Sequence, residues 1–177
     1  MSEITLGGRA RLLPDHINTD YIISSRRKRL TIDPDILRQY LLEDYHAGYA
    51  ATVQDNDILV AGKNFGCGSA MEVAVTVVLA SGIRCVLAKS FARSYYRNAI
   101  NNGLVPVMCD TSSICEGDIL NVHSGAAALT VINQTRNIKI PGAELSPMMM
   151  DILIAGGLTG YLLEHGDFPD FDTPAAQ

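Results

Sequence analysis

Lys63-Asn64-Phe65-Gly66-Cys67-Gly68-Ser69-Ala70-Met71-Glu72 is the stretch on which the reading of this chain turns. The apolar run Asp57-Ile58-Leu59-Val60-Ala61 leads into it, and a second apolar run, Val73 to Ala80, leads out. Gly66 and Gly68 permit a sharp bend and the close approach of a ligand. Ser69 and Glu72 fit the S-x-x-E pattern with which helices open. The stretch therefore predicts a strand, a glycine turn and a helix whose leading N–H groups face open space. Such a helix start attracts anions, and the Ser69 hydroxyl would stand beside it to bind, or act on, a small carboxylate.

Downstream the pattern continues. Gly82 supplies a helix stop, and Ile83 to Ala88 is a continuous apolar run of the kind a buried parallel strand needs. A second helix is expected from about Phe91 to Asn101, ended by Asn102-Gly103, with a strand at Leu104 to Met108. Pro106 assigns that strand to an edge or an irregular position. The order β-α-β-α-β from Asp57 to Met108 marks an α/β layered fold with a mostly parallel central sheet. Beyond it, the short runs Ile119 to Val122, Ala128 to Ile132 and Ile138 to Ile140 predict hairpins or a small additional, barrel-like β sheet. Pro147 opens a methionine-rich helix through Ile154, and Leu158 to Glu164 forms a last short helix after Gly156-Gly157.

Upstream, Ile4 to Leu6 and Arg9 to Leu12 read as one strand interrupted at Gly7-Gly8 by a bulge. Asp15 to Asp20 is a polar turn. Four cations follow in succession, Arg26-Arg27-Lys28-Arg29, either a solvated loop or an anion-binding one. Asp33 and Pro34 start a helix with Ile36, Leu37, Tyr40 and Leu41 on one face. Glu43 to Gln54 reads as irregular. The expected organisation is one domain over 1–165 and an acidic, frayed tail over 166–177.

Composition limits the function classes. Of 177 residues, 47% are apolar and 19% charged, which is globular. A net charge of −5 argues against wholesale nucleic-acid binding. No apolar run is long enough for a membrane span. Met1-Ser2-Glu3 lacks the pattern of a signal peptide, so a cytoplasmic location is expected. Cys67, Cys85, Cys109 and Cys115 form no C-x-x-C pair, and a disulfide framework is not expected.

Ser69 admits three readings from spacing: a helix cap with Glu72 as its partner, part of a phosphate loop, or a catalytic hydroxyl. The Walker pattern does not fit, and no G-x-S-x-G elbow is present. Proton abstraction beside a carboxylate remains open, because an alkoxide can serve as base where cations and N–H donors stabilise it. Arg93 and Arg97, one helical turn apart, read as residues that ion-pair with the sheet or a partner ahead of substrate contacts. His16 reads as a turn residue, and Met148 to Met150 as packing.

Three motifs then carry a resemblance: Asp57 to Ser69, Ala88 to Arg93 with Tyr96 to Asn101, and Asn18-Thr19-Asp20 with Ile22-Ile23. Together, in matching order from about Gly8 to Leu163, they resemble the small subunit of 3-isopropylmalate dehydratase, in the aconitase superfamily. The resemblance implies a swivelling β/β/α three-layer domain and a separate large subunit carrying a 4Fe-4S cluster. It implies a hydro-lyase reaction on a malate-type hydroxy acid, with Ser69 as base and Asp20 near the active site. Substrate contacts would come from Gly68, Ala70 and Met71, and from the loop Ser24 to Leu30, which carries Arg26, Arg27, Lys28 and Arg29. None of the four cysteines would hold the cluster.

One departure stands out. The family motif after the glycine turn is usually Ser-Ser-Arg-Glu-His, and here it is Ser69-Ala70-Met71-Glu72-Val73. Met71 cannot grip a carboxylate as the usual arginine does, and the basic loop could supply the missing cation. The resulting expectation is a relative acting on a related hydroxy di- or tricarboxylic acid, such as a homoaconitase- or alkylmalate dehydratase-type small subunit. A non-catalytic binding module of the same fold, or a stand-alone phosphate- or nucleotide-binding domain, are the competing readings. When isolated, such a subunit is expected to self-associate through its partner-facing surface.

Overall fold

In the computed structural model, residues 3–125 and 128–166 are described. Strand β1 (Thr5–Leu12) is followed by four short helices, α1 (Thr19–Ile22), α2 (Ser25–Lys28), α3 (Pro34–Leu37) and α4 (Tyr49–Thr52). Then come β2 (Ile58–Ala61), α5 (Val73–Ala80), β3 (Cys85–Ala88), α6 (Arg93–Asn101) and β4 (Val105–Met108). The chain continues with β5 (Ile119–Ser124), β6 (Ala128–Asn133), β7 (Ile138–Glu144), α7 (Pro147–Ile154) and α8 (Leu158–His165).

The seven strands run in the order β4-β3-β2-β1-β5-β6-β7. β1 is the hinge of the topology. Its residues Ala10 to Leu12 pair in parallel with Ile58 to Val60, while Thr5 to Arg9 pair antiparallel with His123 to Ile119. The parallel half and the antiparallel half thus share a strand. A bridge between Cys109 and Gly142 brings the end of β4 to β7 and curls the sheet towards a barrel.

Strand alternation divides the core in two. Leu59, Ala61, Val86 and Ala88 pack with Ile22, Leu37, Leu41, Val75 and Tyr95 on the helical side. Ile58, Val60, Cys85 and Leu87 pack with Leu120, Val122, Leu129 and Val131 of the antiparallel strands, and with Ile152 and Tyr161 of α7 and α8. Helices, parallel strands and antiparallel strands are therefore three layers. β2 and β3 are buried on both faces, which is why they read as unbroken apolar runs. Pro106 lies in β4, at the edge of the strand order, as its missing N–H requires.

Several local expectations are overturned. β1 carries no bulge: its register with β5 is unbroken through Gly7 and Gly8. Gly8 is there because the turn before β2 presses on it, with Asn56 O only 1.7 Å from where a Cβ would sit. The helix after Asp33 lasts one turn and gives way to a 3-10 turn at Arg38–Tyr40, which leaves Ile36 half exposed while Leu37 and Leu41 are buried. Asp33 does cap it, accepting from Asp35 N at 2.9 Å. The 43–54 segment holds α4. Of the expected tail, Gly166 ends α8 and 167–177 lie outside the described residues.

Candidate active site

Three loops meet at the carboxyl ends of the parallel strands, the edge at which open α/β sheets bind ligands. The loop after β1 runs beside the loop after β2: His16 N donates to Lys63 O, Gly66 N to Ile17 O, and Thr19 N to Cys67 O, each at 2.8 Å. The loop after β3 holds the other side. Phe65 N donates to Ser90 O at 3.0 Å, Ala92 N to Phe65 O at 2.8 Å, and Asn64 N to Ser90 Oγ at 2.8 Å. Phe65 is wholly buried, edge-on to Tyr95 with ring centroids 5.1 Å apart. Gly66 turns over that ring at φ +75°, and a Cβ would lie 2.2 Å from Tyr95 Cγ.

This frame lifts Gly68, Ser69 and Ala70 into solvent. The Ser69 carbonyl accepts from Thr19 Oγ1 at 3.0 Å, but among the described residues nothing hydrogen-bonds its hydroxyl. The capping box does not form. Glu72, already helical at φ −60° and ψ −39°, precedes the first residue of α5, and no side chain caps the helix. Anchoring of the Ser69 carbonyl by Thr19 keeps the serine out of the helix start and leaves its hydroxyl free.

Asp20 lies in the first turn of α1, which Asn18 caps by accepting from Tyr21 N at 2.8 Å. The Asp20 carboxylate accepts from the Ser25 hydroxyl and lies 3.4 Å from Lys28 Nζ. The Ser25 hydrogen bond, then the Lys28 charge, hold it below the usual carboxylate range. Lys28 Nζ also contacts the sulfur of Met71. Asp20, Lys28 and Met71 are thereby brought together beside the glycine turn.

The other cations separate. Arg26 pairs with Asp44 at 2.6 Å. Arg27 grips both oxygens of Glu43 at 2.7 and 2.9 Å and lies 3.8 Å over the Tyr40 ring. Arg29 is exposed, with no ion-pair partner among the described residues. Arg93 and Arg97, expected to ion-pair with the sheet or with a partner, are exposed and form no ion pair among the described residues. His16 occupies its turn at φ 59°, with Nδ1 3.2 Å from Asn64 Nδ2. Sequence reasoning gave Thr19 and Ser90 no role as tethers. The Asn18-Thr19-Asp20 triplet contains the first and the Ala88 to Arg93 motif the second.

Among the described residues no group of three or more His, Cys, Asp or Glu side chains is placed to hold a metal. Cys85 and Cys109 are buried, which pushes both thiols up, away from the thiolate a metal would need. No described helix is long and apolar enough to cross a membrane.

The chain is similar to known proteins over most of its length. The Aconitase C-terminal domain model matches residues 40–112. The chain is 41% identical over 160 residues to "3-isopropylmalate dehydratase small subunit 2" of Archaeoglobus fulgidus, covering 90% of this chain and 96% of that protein. It is 39% identical over 155 residues to "Methanogen homoaconitase small subunit" of Methanocaldococcus jannaschii, covering 88% and 89%. The crystal structure of 3-isopropylmalate dehydratase from Methanocaldococcus jannaschii superposes with a TM-score of 0.86 at 37% identity, over 92% of this chain and 96% of that one.

Proposed function

Since the chain belongs to the family of 3-isopropylmalate dehydratase small subunits, in the aconitase superfamily, we propose that it is the small subunit of a hydro-lyase acting on a malate-type hydroxy acid. On this reading 1–165 is one swivelling unit that works with a large subunit, in the cytoplasm. The observation that carries it is the Ser69 hydroxyl: exposed, without a hydrogen bond among the described residues, and anchored through its own carbonyl at the meeting of the loops.

Ser69 Oγ takes the proton from the carbon next to a substrate carboxylate. The electron pair forms the carbon–carbon double bond, and the neighbouring hydroxyl departs. An alkoxide base needs nearby positive charge and N–H donors; Lys28 and the open glycine turn supply both. Asp20 stays ionised and holds Lys28 at the site. A 4Fe-4S cluster in the large subunit would supply the Lewis acid for the departing hydroxyl.

The need for a partner has support on the surface. Leu30 and Ile32 are 79% and 78% exposed, on the segment that follows Lys28. Apolar side chains so bare suit a surface that another polypeptide covers. A homoaconitase-type substrate is the second reading, favoured by the homoaconitase relative and by the absence of an arginine at Met71.

The test is co-expression with the large subunit and assay against a panel of malate analogues. Reversible dehydration of one of them is expected, with Ser69→Ala lowering turnover by at least about 100-fold, the scale of general-base catalysis. Undiminished turnover in Ser69→Ala would remove the serine from the mechanism. A wild-type complex inert towards every hydroxy acid would favour the non-catalytic module.

A further inference from the structure

We propose that the groove between the starts of β1 and β4 binds a free α-amino acid with an aliphatic side chain, Arg84 receiving its carboxylate and Glu3 its ammonium. The groove lies at the amino ends of the parallel strands, the opposite edge of the sheet from the glycine turn. Its ligand is therefore not the substrate, and the proposal stands apart from the hydro-lyase reading.

The groove has a volume of about 290 Å³, close to the lower bound for cavities that take small ligands. Its walls are apolar. Ile4, Val105 and Leu153 line it with little exposure, Leu6 is half-buried, and Ile154, the last residue of α7, is 37% exposed. The backbone around it is held in place. Val105 N donates to Arg84 O at 3.0 Å. Ile4 N donates to Ser124 Oγ, and Ser124 N to Ile4 O, both at 2.9 Å. Gly103 and Gly156 border the groove and meet backbone to backbone, since a Cβ on Gly103 would lie 2.5 Å from Gly156 O. Two turns thus close together without adding a side chain to fill the space.

The charges at the mouth select the ligand. Arg84 and Glu3 line the same groove and are both exposed. Arg9, Arg11, Arg26, Arg27 and Arg136 each close on a carboxylate, whereas Arg84 and Glu3 form no ion pair among the described residues, even with each other. The two are set too far apart to meet, so a molecule carrying both charges can bridge them. A carboxylate alone would leave Glu3 unanswered, and an amine alone would leave Arg84 so. One exposed charge contributes little, but two engaged at once beside an apolar wall contribute more. The carbonyl end of α7 adds to the pull on an ammonium. An aliphatic side chain laid on Ile154 and Leu6 would take apolar surface out of water on both sides.

The test is isothermal titration calorimetry on the full-length chain with L-valine, L-leucine and L-isoleucine. Glycine, isoamylamine and isocaproate are the controls, lacking the side chain, the carboxylate and the ammonium in turn. At least one of the three amino acids should bind with a Kd of about 1 mM or tighter. Isoamylamine and isocaproate should each bind at least about tenfold more weakly, the share of one charged hydrogen bond. Glycine should also bind at least about tenfold more weakly, for want of apolar burial. Arg84→Gln and Glu3→Gln should each lower affinity by about ten- to a hundredfold, while Arg84→Lys should retain most of it. Absence of binding up to about 10 mM overturns the proposal. So does binding that neither glutamine variant weakens, or an amine or acid that binds as tightly as its parent amino acid. Should Arg84→Gln fail to fold, Glu3→Gln carries the same comparison. The readout is binding to the chain itself, so failure here leaves the hydro-lyase reading untouched.

Discussion

Thr19 and Ser69 are joined by one hydrogen bond, from the threonine hydroxyl to the serine carbonyl at 3.0 Å. It ties the loop after β1 to the turn after β2. Thr19 is 1% exposed, so its hydroxyl has no water to fall back on. The bond fixes the backbone of Ser69 and leaves the side chain unconstrained, which is what a base aimed at a ligand requires.

Thr19→Val keeps the shape and removes the donor. Its cost in stability is expected at about 1 kcal/mol, the net worth of a hydrogen bond. Its cost in turnover should be larger, about tenfold or more, because small misplacements at a reacting group are expensive. Urea denaturation and steady-state kinetics on the same preparation separate the two. A fall in turnover no greater than the stability loss implies would deny Thr19 any positioning role.

Gly66→Ala should be among the most damaging single changes in the chain. The residue sits at φ +75°, and the new methyl would meet Tyr95 Cγ at 2.2 Å. Left-handed backbone costs an alanine about 1–2 kcal/mol, and overpacking adds about 1–3 kcal/mol. Combining it with Tyr95→Ala should cost less than the sum of the two single changes, since the pair shares one space. Strict additivity in chemical denaturation would show that the ring is not what excludes the methyl.

The order β2-α5-β3-α6-β4 was legible because each strand is an apolar run bounded by a stop such as Gly82 or Asn102-Gly103. The short helices α1, α2 and α4 were not, since four residues carry no period to detect. The capping box misled for a physical reason. Ser69 and Glu72 have the right spacing, but Thr19 claims the serine backbone from fifty positions away. The same limit applies to Lys28. Its charge was visible in the basic run, while its place between Asp20 and Met71 depends on how α2 is set against the glycine turn.

Asp57 should govern stability in acid. It is 2% exposed and accepts from Arg9 Nε and Nη2, Arg11 Nη1 and Gln54 N at 2.8–3.1 Å. Burial pushes its carboxyl up, but the Arg9, Gln54 and Arg11 hydrogen bonds outweigh this and hold it below its ordinary value. A depressed folded pKa means the contribution is whole above the unfolded value of about 3.9 and is lost as pH falls through the folded one. Asp57→Asn should therefore cost about 3–5 kcal/mol near neutral pH, towards the lower figure because Glu116 still pairs with Arg11. The gap between wild type and variant in urea midpoint should narrow as the pH drops below about 4. A gap independent of pH would show that the lost interaction is not ionic.

The isolated chain should self-associate, and the segment after Lys28 should be responsible. Leu30 and Ile32 are largely exposed, on the segment that follows Lys28. Burying a side chain of this kind contributes about 1.5–3 kcal/mol, so two from each copy would hold a weak dimer, while a large subunit offering a broader apolar surface would displace it. Sedimentation velocity across a concentration series should show a reversible shift towards a larger species. Leu30→Ser with Ile32→Ser should abolish that shift without lowering the melting temperature, because neither side chain belongs to the core. The same double change should weaken co-elution with the large subunit. If self-association disappears while co-elution is untouched, the two surfaces are distinct, and the exposed leucine and isoleucine do not belong to the face that closes the active site.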